Sequence, residues 1–216
     1  MPAKRRPTRC VPMHSACRSS RNRQSAPFPR TLPLYSIRPT YRTMAAKLLQ
    51  TPETTYRIHF QDCDMLGHLN NARYLDYFLN AREDHTTEHY ALNLGQLAKE
   101  EGAGWVITKH HIAYLRPANH GETVRIRTQL IHFDNSNLVV EMQMLSEDGQ
   151  RLKSVLWSEM AFVRVASATR TDHPDALMDM LDQLDVEDVS YDPDGFDDRV
   201  KRLRKQLKRD RSGSDE

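Results

Sequence analysis

The chain has 216 residues, enough for one domain of ordinary size with extensions, and 38% of them are hydrophobic with a mean hydropathy of -0.71. No apolar run approaches the roughly 20 residues that a bilayer span requires, so we expect no membrane partner. The net charge of +2 conceals two unequal parts, since residues 1–47 hold eleven Lys and Arg and no acidic residue. The remainder holds 20 basic and 29 acidic residues, so the charge gives no reason to expect a nucleic-acid partner.

Three cysteines, at positions 10, 17 and 63, form no CxxC pair. An odd number without metal-ligand spacing predicts neither a disulfide framework nor a zinc site, so we expect a reducing, cytoplasmic setting and no metal or cofactor. Cys63 stands between Asp62 and Asp64, whose negative charges disfavour a thiolate. A catalytic cysteine is therefore not expected.

Residues 1–47 lack hydrophobic periodicity, and seven of the eleven prolines fall within residues 1–43. We expect a disordered basic arm outside the fold, because proline at this density prevents a helix. Organellar transit peptides share the basic, acid-free composition but are amphipathic. Two other interpretations stay open: a plain disordered tail, or a start codon assigned too early, for which Met44 is a reasonable true start.

From Thr54 the pattern changes to the two-residue period of a half-buried strand, with Tyr56, Ile58 and Phe60 alternating against polar side chains. The acidic run at residues 62–64 is predicted to end this strand.

After a glycine-containing turn, Asn70 and Asn71 offer an N-cap for a long helix that continues to about Tyr90. Its stripe at helical spacing consists of Tyr74, Leu75, Phe78, Ala81 and Arg82. A shorter helix over residues 94–101 ends at Gly102, as a C-terminal glycine predicts.

Long strands are predicted next, over residues 105–115, 122–133, 138–145 and 152–165. In the second strand one face carries Val124, Ile126, Thr128 and Leu130. Short turns between strands require antiparallel neighbours, so we expect a meander. The apolar stripe of the long helix needs an apolar partner, and the meander supplies it. This predicts an α+β domain over residues 48–168, in which an antiparallel sheet wraps around a long central helix.

Residues 169–216 are expected to form a charged, partly helical extension. They are acidic around residues 179–198 and end in a basic stretch over residues 201–209. Such charge runs usually form a solvated face, and we interpret the basic stretch in that way.

Several polar groups converge where the long helix begins, in residues 60–74, FQDCDMLGHLNNARY. Free N–H groups in the first turn of a helix carry partial positive charge and can bind a developing oxyanion. Asp64, a few residues upstream, is within reach of the same position. A nucleophile or base beside a group that stabilises an oxyanion is what acyl transfer requires.

This segment resembles the 4-hydroxybenzoyl-CoA thioesterase-like branch of the hotdog superfamily, and the resemblance covers roughly residues 54–165. Residues 112–117, IAYLRP, are a second and weaker match. The resemblance implies a hotdog fold and hydrolysis of an acyl-CoA substrate to a free carboxylic acid and CoA. It also implies a homodimer or homotetramer whose active sites are lined by two subunits.

By this resemblance, Asp64 is the catalytic carboxylate, which attacks the thioester carbonyl or activates the water that does. Asn71 directs its backbone N–H at the thioester oxygen, so Asn71→Ala should be mild and a proline there severe. His68 stands where some relatives, including plant acyl-carrier-protein thioesterases, place a histidine beside the aspartate. Leu66 stands where those plant enzymes have an asparagine, so their Asp-Asn-His set is incomplete here.

Substrate contacts are expected from Gly67, Asn70 and Tyr74, and a structural turn role from Asp62. The phosphates of CoA require basic residues near a rim or subunit boundary. The sequence offers four without choosing among them, Arg73, Lys109, Arg116 and Arg151. Phosphate-loop, Rossmann and serine-hydrolase motifs do not occur.

The remaining histidines give no metal motif. His85 and His89 stand four apart on the long helix, but Glu88 is not at the zinc-helix position and no third ligand is evident, so we expect solvent-facing or subunit-facing side chains. His110 and His111 alternate along one strand and should face opposite sides.

Two alternatives to hydrolysis stay open. The same architecture supports hydration of enoyl thioesters, although such relatives space their aspartate and histidine differently. A non-enzymatic acyl-CoA-binding regulator, with the basic arm on nucleic acid, is weakened by the lack of a helix-turn-helix pattern before Tyr56.

Overall fold

The computed structural model describes residues 48–186 and 188–213, with only the backbone of residues 211 and 213. The expected basic arm, with Cys10, Cys17 and Met44, lies outside these residues. The helices and strands are β1 Glu53–Arg57, α1 Arg73–Tyr90, α2 Leu94–Glu101, β2 Ala103–Tyr114, β3 Thr123–Phe133, β4 Asn137–Ser146, β5 Leu152–Arg164, β6 Thr169–Arg170, α3 Asp175–Leu184 and α4 Phe196–Gly213. No helix in this part of the chain is both long and apolar enough to cross a bilayer.

All strand pairs are antiparallel, and the sheet has the order β1-β3-β4-β5-β2, with β6 beside β5. Strands β3, β4 and β5 form the expected meander. The prediction that β2 belongs to this meander is wrong, because β2 pairs with β5, from Ala103 opposite Arg164 to Tyr114 opposite Ser154. Residues 115–122 are long enough to carry the chain across the sheet, so β2 and β3 need not be neighbours. Strand β2 is therefore an edge strand.

Helix α1 packs across one face of the sheet, which we call the inner face. Tyr74, Phe78 and Ala81 of the predicted stripe are buried, whereas Leu75 and Arg82 are half-buried. Tyr77, which was not predicted, is also buried. The second helix ends at Gly102, as predicted. The apolar side chains that share this core include Val124, Ile126, Leu130, Val140, Met142 and Leu156 from the sheet. An α+β architecture with an antiparallel sheet against a long helix is therefore confirmed.

One predicted boundary is wrong at the end of the first strand. Strand β1 ends at Arg57, and Phe60 lies in a short 3-10 turn, Phe60–Asp62, with 80% of its side chain exposed. The partner strand β3 begins only at Thr123, which pairs with Arg57. The alternating pattern continues in the sequence beyond Ile58, but no ladder remains there to pair with it.

His85, which we expected to face solvent or a subunit, is fully buried on the inner face. Its two ring nitrogens each lie 2.8 Å from a hydroxyl oxygen, one of Thr54 and one of Thr128. Burial, reinforced by the charge of Arg82 and by His89, lowers the pKa of His85 to about 4. The ring is therefore a neutral part of the core.

The buried His85 predicts a specific dependence of stability on pH. The unfolded chain binds this proton near the ordinary pKa of 6.5 and the folded chain only near pKa 4, so the contribution of His85 is complete above pH 6.5 and decreases as the pH falls toward 4. We expect a loss of about 3 kcal/mol across that range. Denaturant unfolding at several pH values measures it, and His85→Gln should flatten the slope. An unchanged slope in the variant would contradict the assignment.

Helix α4 covers the opposite face of the sheet, which we call the outer face. Phe196, Val200 and Leu203 are buried there. Their apolar partners from the sheet are Ile131, Val139, Leu145, Leu152, Val155 and Trp157. The basic side chains of residues 201–209 are all exposed, as expected, but Leu203 between them is buried. An amphipathic helix buries one face even when most of its residues are charged.

A buried ion pair joins α4 to the middle of the sheet. Glu141 on β4 is 0% exposed, and its two carboxylate oxygens accept hydrogen bonds from Arg199 Nε at 2.8 Å and Nη2 at 2.9 Å. The same oxygens accept from Trp157 Nε1, Gln129 Nε2 and Gln143 Nε2. Burial raises the pKa of Glu141, but the hydrogen bonds and charge of Arg199 outweigh it and keep the pKa below its ordinary value. Glu141 is therefore ionised and fully hydrogen-bonded.

Candidate functional site

The loop between β1 and α1 is fastened to the connection between β2 and β3. The Leu69 N–H donates to Ala118 O at 2.8 Å, and the His120 N–H donates to Gly67 O at 2.9 Å. Gly67 has a φ of +76°, in the left-handed region that favours glycine. Because these bonds join segments that are far apart in the sequence, the loop conformation depends on the fold and not on its local turn alone.

The Asp64 carboxylate is oriented by the backbone of its own loop. Its Oδ1 accepts hydrogen bonds from the Leu66 N–H at 2.8 Å and the His68 N–H at 3.3 Å. The Asp64 N–H donates in turn to His68 O at 2.8 Å. Both side-chain bonds involve Oδ1, so Oδ2 has no donor among the described residues. Asp64 is exposed, and His68 is half-buried.

Asn71 lies directly before the N-cap residue of the helix and is not the cap itself. Helix α1 begins at Arg73 with Ala72 as N-cap, so the predicted cap at Asn70 or Asn71 is wrong by one or two residues. The Asn70 side chain still accepts a hydrogen bond from the Ala72 N–H at 3.0 Å. Within the described residues, no acceptor binds the Asn71 N–H, which is the backbone group to which the resemblance assigns oxyanion binding.

Tyr114, for which no role was predicted, binds the carbonyl oxygen of Asn71 and so holds the Asn71–Ala72 peptide group. Its hydroxyl donates to Asn71 O at 2.9 Å, and its ring lies 5.1 Å from that of Tyr74. Tyr74 is buried, and its hydroxyl accepts from the Ala118 N–H at 3.3 Å. The signal for Tyr114 was present in the weaker match at residues 112–117.

Asp62 and Cys63 have structural environments. Asp62 accepts a hydrogen bond from the Tyr77 hydroxyl at 2.8 Å, which agrees with the expected turn role. Burial, with the charge of Asp62, raises the pKa of Tyr77 to about 12. Burial, followed by the charges of Asp62 and Asp64, raises the pKa of the Cys63 thiol, so the expectation that Cys63 disfavours a thiolate is confirmed.

Apolar side chains are unusually exposed around Asp64. Met65 is 99% exposed and Leu66 is 71% exposed, and both follow Asp64 directly. Phe60, three residues after β1, contacts the His120 ring edge-to-face at 5.7 Å. Exposed apolar residues grouped beside polar ones are typical of a binding surface.

An apolar cavity of about 220 Å³ opens between the C-terminal half of α1 and the sheet. Its walls include Leu79 and Tyr90 of α1, Trp105 and Ile107 of β2, Met160 of β5, and Met180, Leu181 and Leu184 of α3. A hydrogen bond of 2.9 Å from Trp105 Nε1 to His173 Nε2 fastens the segment that leads into α3. Asp64 does not line this cavity.

The four basic residues that were predicted as phosphate ligands have different environments in the structure. Arg73 pairs with Asp76 at 2.8 Å, and Lys109 pairs with Glu159 at 3.4 Å. The remaining two phosphate candidates, Arg116 and Arg151, line one cavity with α4.

The two adjacent histidines of β2 do face opposite sides, since His110 Nδ1 lies 3.0 Å from Ser158 Oγ and His111 Nε2 lies 3.2 Å from Glu159 Oε1. The described residues contain no group of three or more His, Cys, Asp or Glu placed to hold a metal ion.

A model of the thioesterase-like superfamily matches residues 58–181, more than half of the chain. The chain belongs to this superfamily. Curated relatives of this thioesterase-like chain include Protein THEM6 of Danio rerio, 26% identical over 138 residues, and Protein THEM6 of Xenopus laevis, 28% identical over 130 residues. The first match covers 63% of this chain and 63% of the relative, and the second covers 60% and 58%. The chain therefore spans less than two thirds of either relative's length.

Solved structures similar to this thioesterase-like chain include three that illustrate the range of coverage. A probable thioesterase from Bartonella henselae has a TM-score of 0.53 at 21% identity, covering 57% of this chain and 99% of that one. The protein SAV2348 of Staphylococcus aureus, in complex with CoA, gives 0.59 at 16%, covering 69% and 94%. The 12:0-ACP thioesterase of Umbellularia californica gives 0.58 at 12%, covering 67% and 54%. At these identities the likeness establishes the hotdog fold alone.

Proposed function

We propose that this chain hydrolyses an acyl-CoA thioester to a carboxylic acid and CoA, with Asp64 as nucleophile or general base. The supporting observation is the fixed Asp64 carboxylate, whose Oδ1 is held by the N–H groups of Leu66 and His68 while Oδ2 has no donor among the described residues. The Asn71 N–H, also without a described acceptor, provides the electrophile-stabilising group nearby along the chain. Family membership favours hydrolysis over hydration.

The chemistry requires three roles. Asp64 either adds to the thioester carbonyl, giving an anhydride that water then hydrolyses, or takes a proton from the attacking water. The carbonyl oxygen becomes an oxyanion, which accepts a hydrogen bond from the Asn71 N–H, while Tyr114 holds the next peptide group, Asn71–Ala72, through Asn71 O. His68 is placed next to Asp64 in this loop and donates a proton to the departing CoA thiolate. Gly67, Asn70 and Tyr74 shape the loop that contacts the substrate.

The apolar cavity beneath α1 is the proposed acyl site. Its β2 wall at Trp105 lies nine residues from Tyr114, which corresponds to about 30 Å along a strand. Within one chain the Trp105 end of the cavity is therefore distant from the candidate catalytic loop, although Leu79 on α1 lies only eight residues after Asn71. Pairing of two β2 edges about a twofold axis brings the Trp105 end of one copy to the Tyr114 end of the other. This arrangement supports an active site shared by two subunits.

This geometry predicts a dimer that a charge on the β2 edge should weaken. Val106 is 44% exposed on that edge, and Val106→Lys places a charge where edge pairing requires apolar or paired contacts. Sedimentation velocity at micromolar concentration should show a dimer for the wild type and a shift toward monomer for the variant, with lower thioesterase activity. Val165→Lys, at a valine 63% exposed beyond β5, is the matched control and should remain dimeric. A monomeric wild type would contradict the shared site.

The Asn71 backbone N–H can be removed without deleting a side chain that does chemistry. Asn71→Pro lacks the N–H, so we expect kcat to fall by about 10²–10³, as for the loss of one oxyanion donor. Asn71→Ala keeps the N–H and should stay near wild-type activity. Steady-state kinetics at matched thermal midpoints measures the effect. An equal loss in both variants would place the function in the side chain instead.

The deciding experiment for hydrolysis is thiol release from a panel of acyl-CoA thioesters of different chain lengths. Wild-type protein should release thiol from at least one of them, and Asp64→Asn should release it about 10²–10⁴ times more slowly. Loss of enoyl absorbance from crotonyl-CoA without thiol release would favour the hydratase instead. CoA binding without turnover of any substrate would favour a non-enzymatic regulator.

A further inference from the structure

The structure groups cationic side chains at one end of the sheet without matching acids. A cavity of about 120 Å³ lies between α4 and the segments that end β2 and begin β5. Its cationic lining consists of Arg116, Arg151, Arg204 and Lys208. None of the four forms a salt bridge with a described carboxylate, although Asp148 is close enough to feel the charge of Arg151.

Two other basic residues of α4 are already paired, while Arg202, Lys205 and Arg209 are exposed and do not line this cavity. Arg199 binds Glu141, and Lys201 binds Asp198 at 2.7 Å. Arg204 and Lys208 stand four apart, so they are neighbours on the helix surface, and like charges at that spacing repel. Two arginines from outside the helix increase this repulsion, which a bound anion would relieve. Guanidinium groups are well suited to phosphate because they donate two parallel hydrogen bonds.

The cavity lies at the same end of β2 as the catalytic loop. Arg116 follows Tyr114 by two residues, so their Cα atoms are within about 7 Å of each other. Tyr114 binds Asn71 O, and Ala118, two residues after Arg116, binds the Leu69 N–H. The segment between β2 and β3 that binds the catalytic loop therefore also contributes Arg116 to the cavity.

We propose that this cavity binds the phosphate groups of the CoA moiety, an inference that rests on the proposed hydrolase function. The thioester lies at Asn71 on the inner side of β2. The pantetheine arm passes around the end of that strand, and the nucleotide phosphates meet Arg116, Arg204 and Lys208 on the outer side. Helix α4 thereby contributes to substrate binding as well as covering the sheet.

The test compares two substrates that carry the same acyl group, an acyl-CoA and an acyl-pantetheine, which lacks the nucleotide phosphates. Arg204→Ala combined with Lys208→Ala should raise KM for the acyl-CoA at least about tenfold, because charge-assisted hydrogen bonds are lost. We expect kcat to stay near the wild-type value and KM for the acyl-pantetheine to be unchanged. Lys205→Ala is the matched control, since Lys205 is exposed on the same helix and does not line the cavity.

The outcomes are separable from failure of the proposed function. An unchanged KM in the double variant, or an equal rise in the Lys205→Ala control, overturns the phosphate site. If neither substrate is hydrolysed, calorimetric titration with CoA decides the site alone, and affinity lost only in the double variant supports it. Wild-type binding to vesicles containing phosphatidylserine, lost in the double variant while CoA affinity is retained, would overturn the proposal in favour of an anionic surface partner.

Discussion

Asp64→Asn should lower kcat for acyl-CoA hydrolysis by about 10²–10⁴ with little change in KM, since a general base or nucleophile contributes at least that much. The asparagine keeps an oxygen that can accept from the N–H groups of Leu66 and His68, so the loop should hold its conformation. Thiol release under saturating substrate measures kcat. The thermal midpoint should remain at the wild-type value because Asp64 is exposed.

The matched control is Asp62→Asn, which changes the neighbouring carboxylate in the same loop. Asp62 accepts a hydrogen bond from Tyr77, and an amide oxygen can accept it as well. We expect less than about a tenfold loss of kcat in this variant, because no proton transfer depends on Asp62. A larger loss of kcat in Asp62→Asn than in Asp64→Asn would mean that Asp62, and not Asp64, is the catalytic carboxylate.

Arg199→Met should lower the free energy of unfolding by about 3–5 kcal/mol, the usual effect of leaving one member of a buried ion pair without its partner. Glu141 would keep its donors from Trp157, Gln129 and Gln143 but lose the only cation that binds it among the described residues. Denaturant unfolding followed by tryptophan fluorescence is suitable, because the Trp157 ring packs against Phe196 of α4.

Lys201→Met is the control for this ion pair. It breaks an ion pair on the same helix, but Lys201 and its partner Asp198 are each 73% exposed. Such surface pairs contribute little, so stability should stay close to the wild-type value. The double variant Arg199→Met with Glu141→Gln removes the orphan charge and should recover part of the loss. Equal effects of Arg199→Met and Lys201→Met would mean that the buried pair does not anchor α4.

Local patterns in the sequence predicted the elements well. The alternation of Val124, Ile126, Thr128 and Leu130 identified the inner face of β3, and Gly102 identified the end of α2. These signals are local, because each depends on neighbours along one strand or one helix turn. Pairing is not local, and nothing in residues 105–115 distinguishes β5 from β3 as the partner of β2.

The burial of polar residues could not be predicted from local patterns. Glu141 and Gln143 alternate with apolar residues in β4, a pattern that predicts a solvated outer face, yet α4 buries both. A usable signal was present in the charged stretch, where Phe196, Val200, Leu203 and Leu207 recur at helical spacing. Likewise, no spacing rule shows that Thr54 and Thr128 meet at His85, because the three residues converge only in the folded core.

The position of α3 bears on how selectivity for the acyl chain can change. With the acyl group in the cavity beneath α1, part of the wall is formed by Met180, Leu181 and Leu184, more than a hundred residues after Asp64. The residues that contact the acyl chain and the residue that acts on the thioester then lie in separate parts of the sequence. Substitutions along α3 can change which substrates are accepted while leaving the catalytic loop intact. Enzyme engineering for chain length should therefore begin with a small library at these three positions.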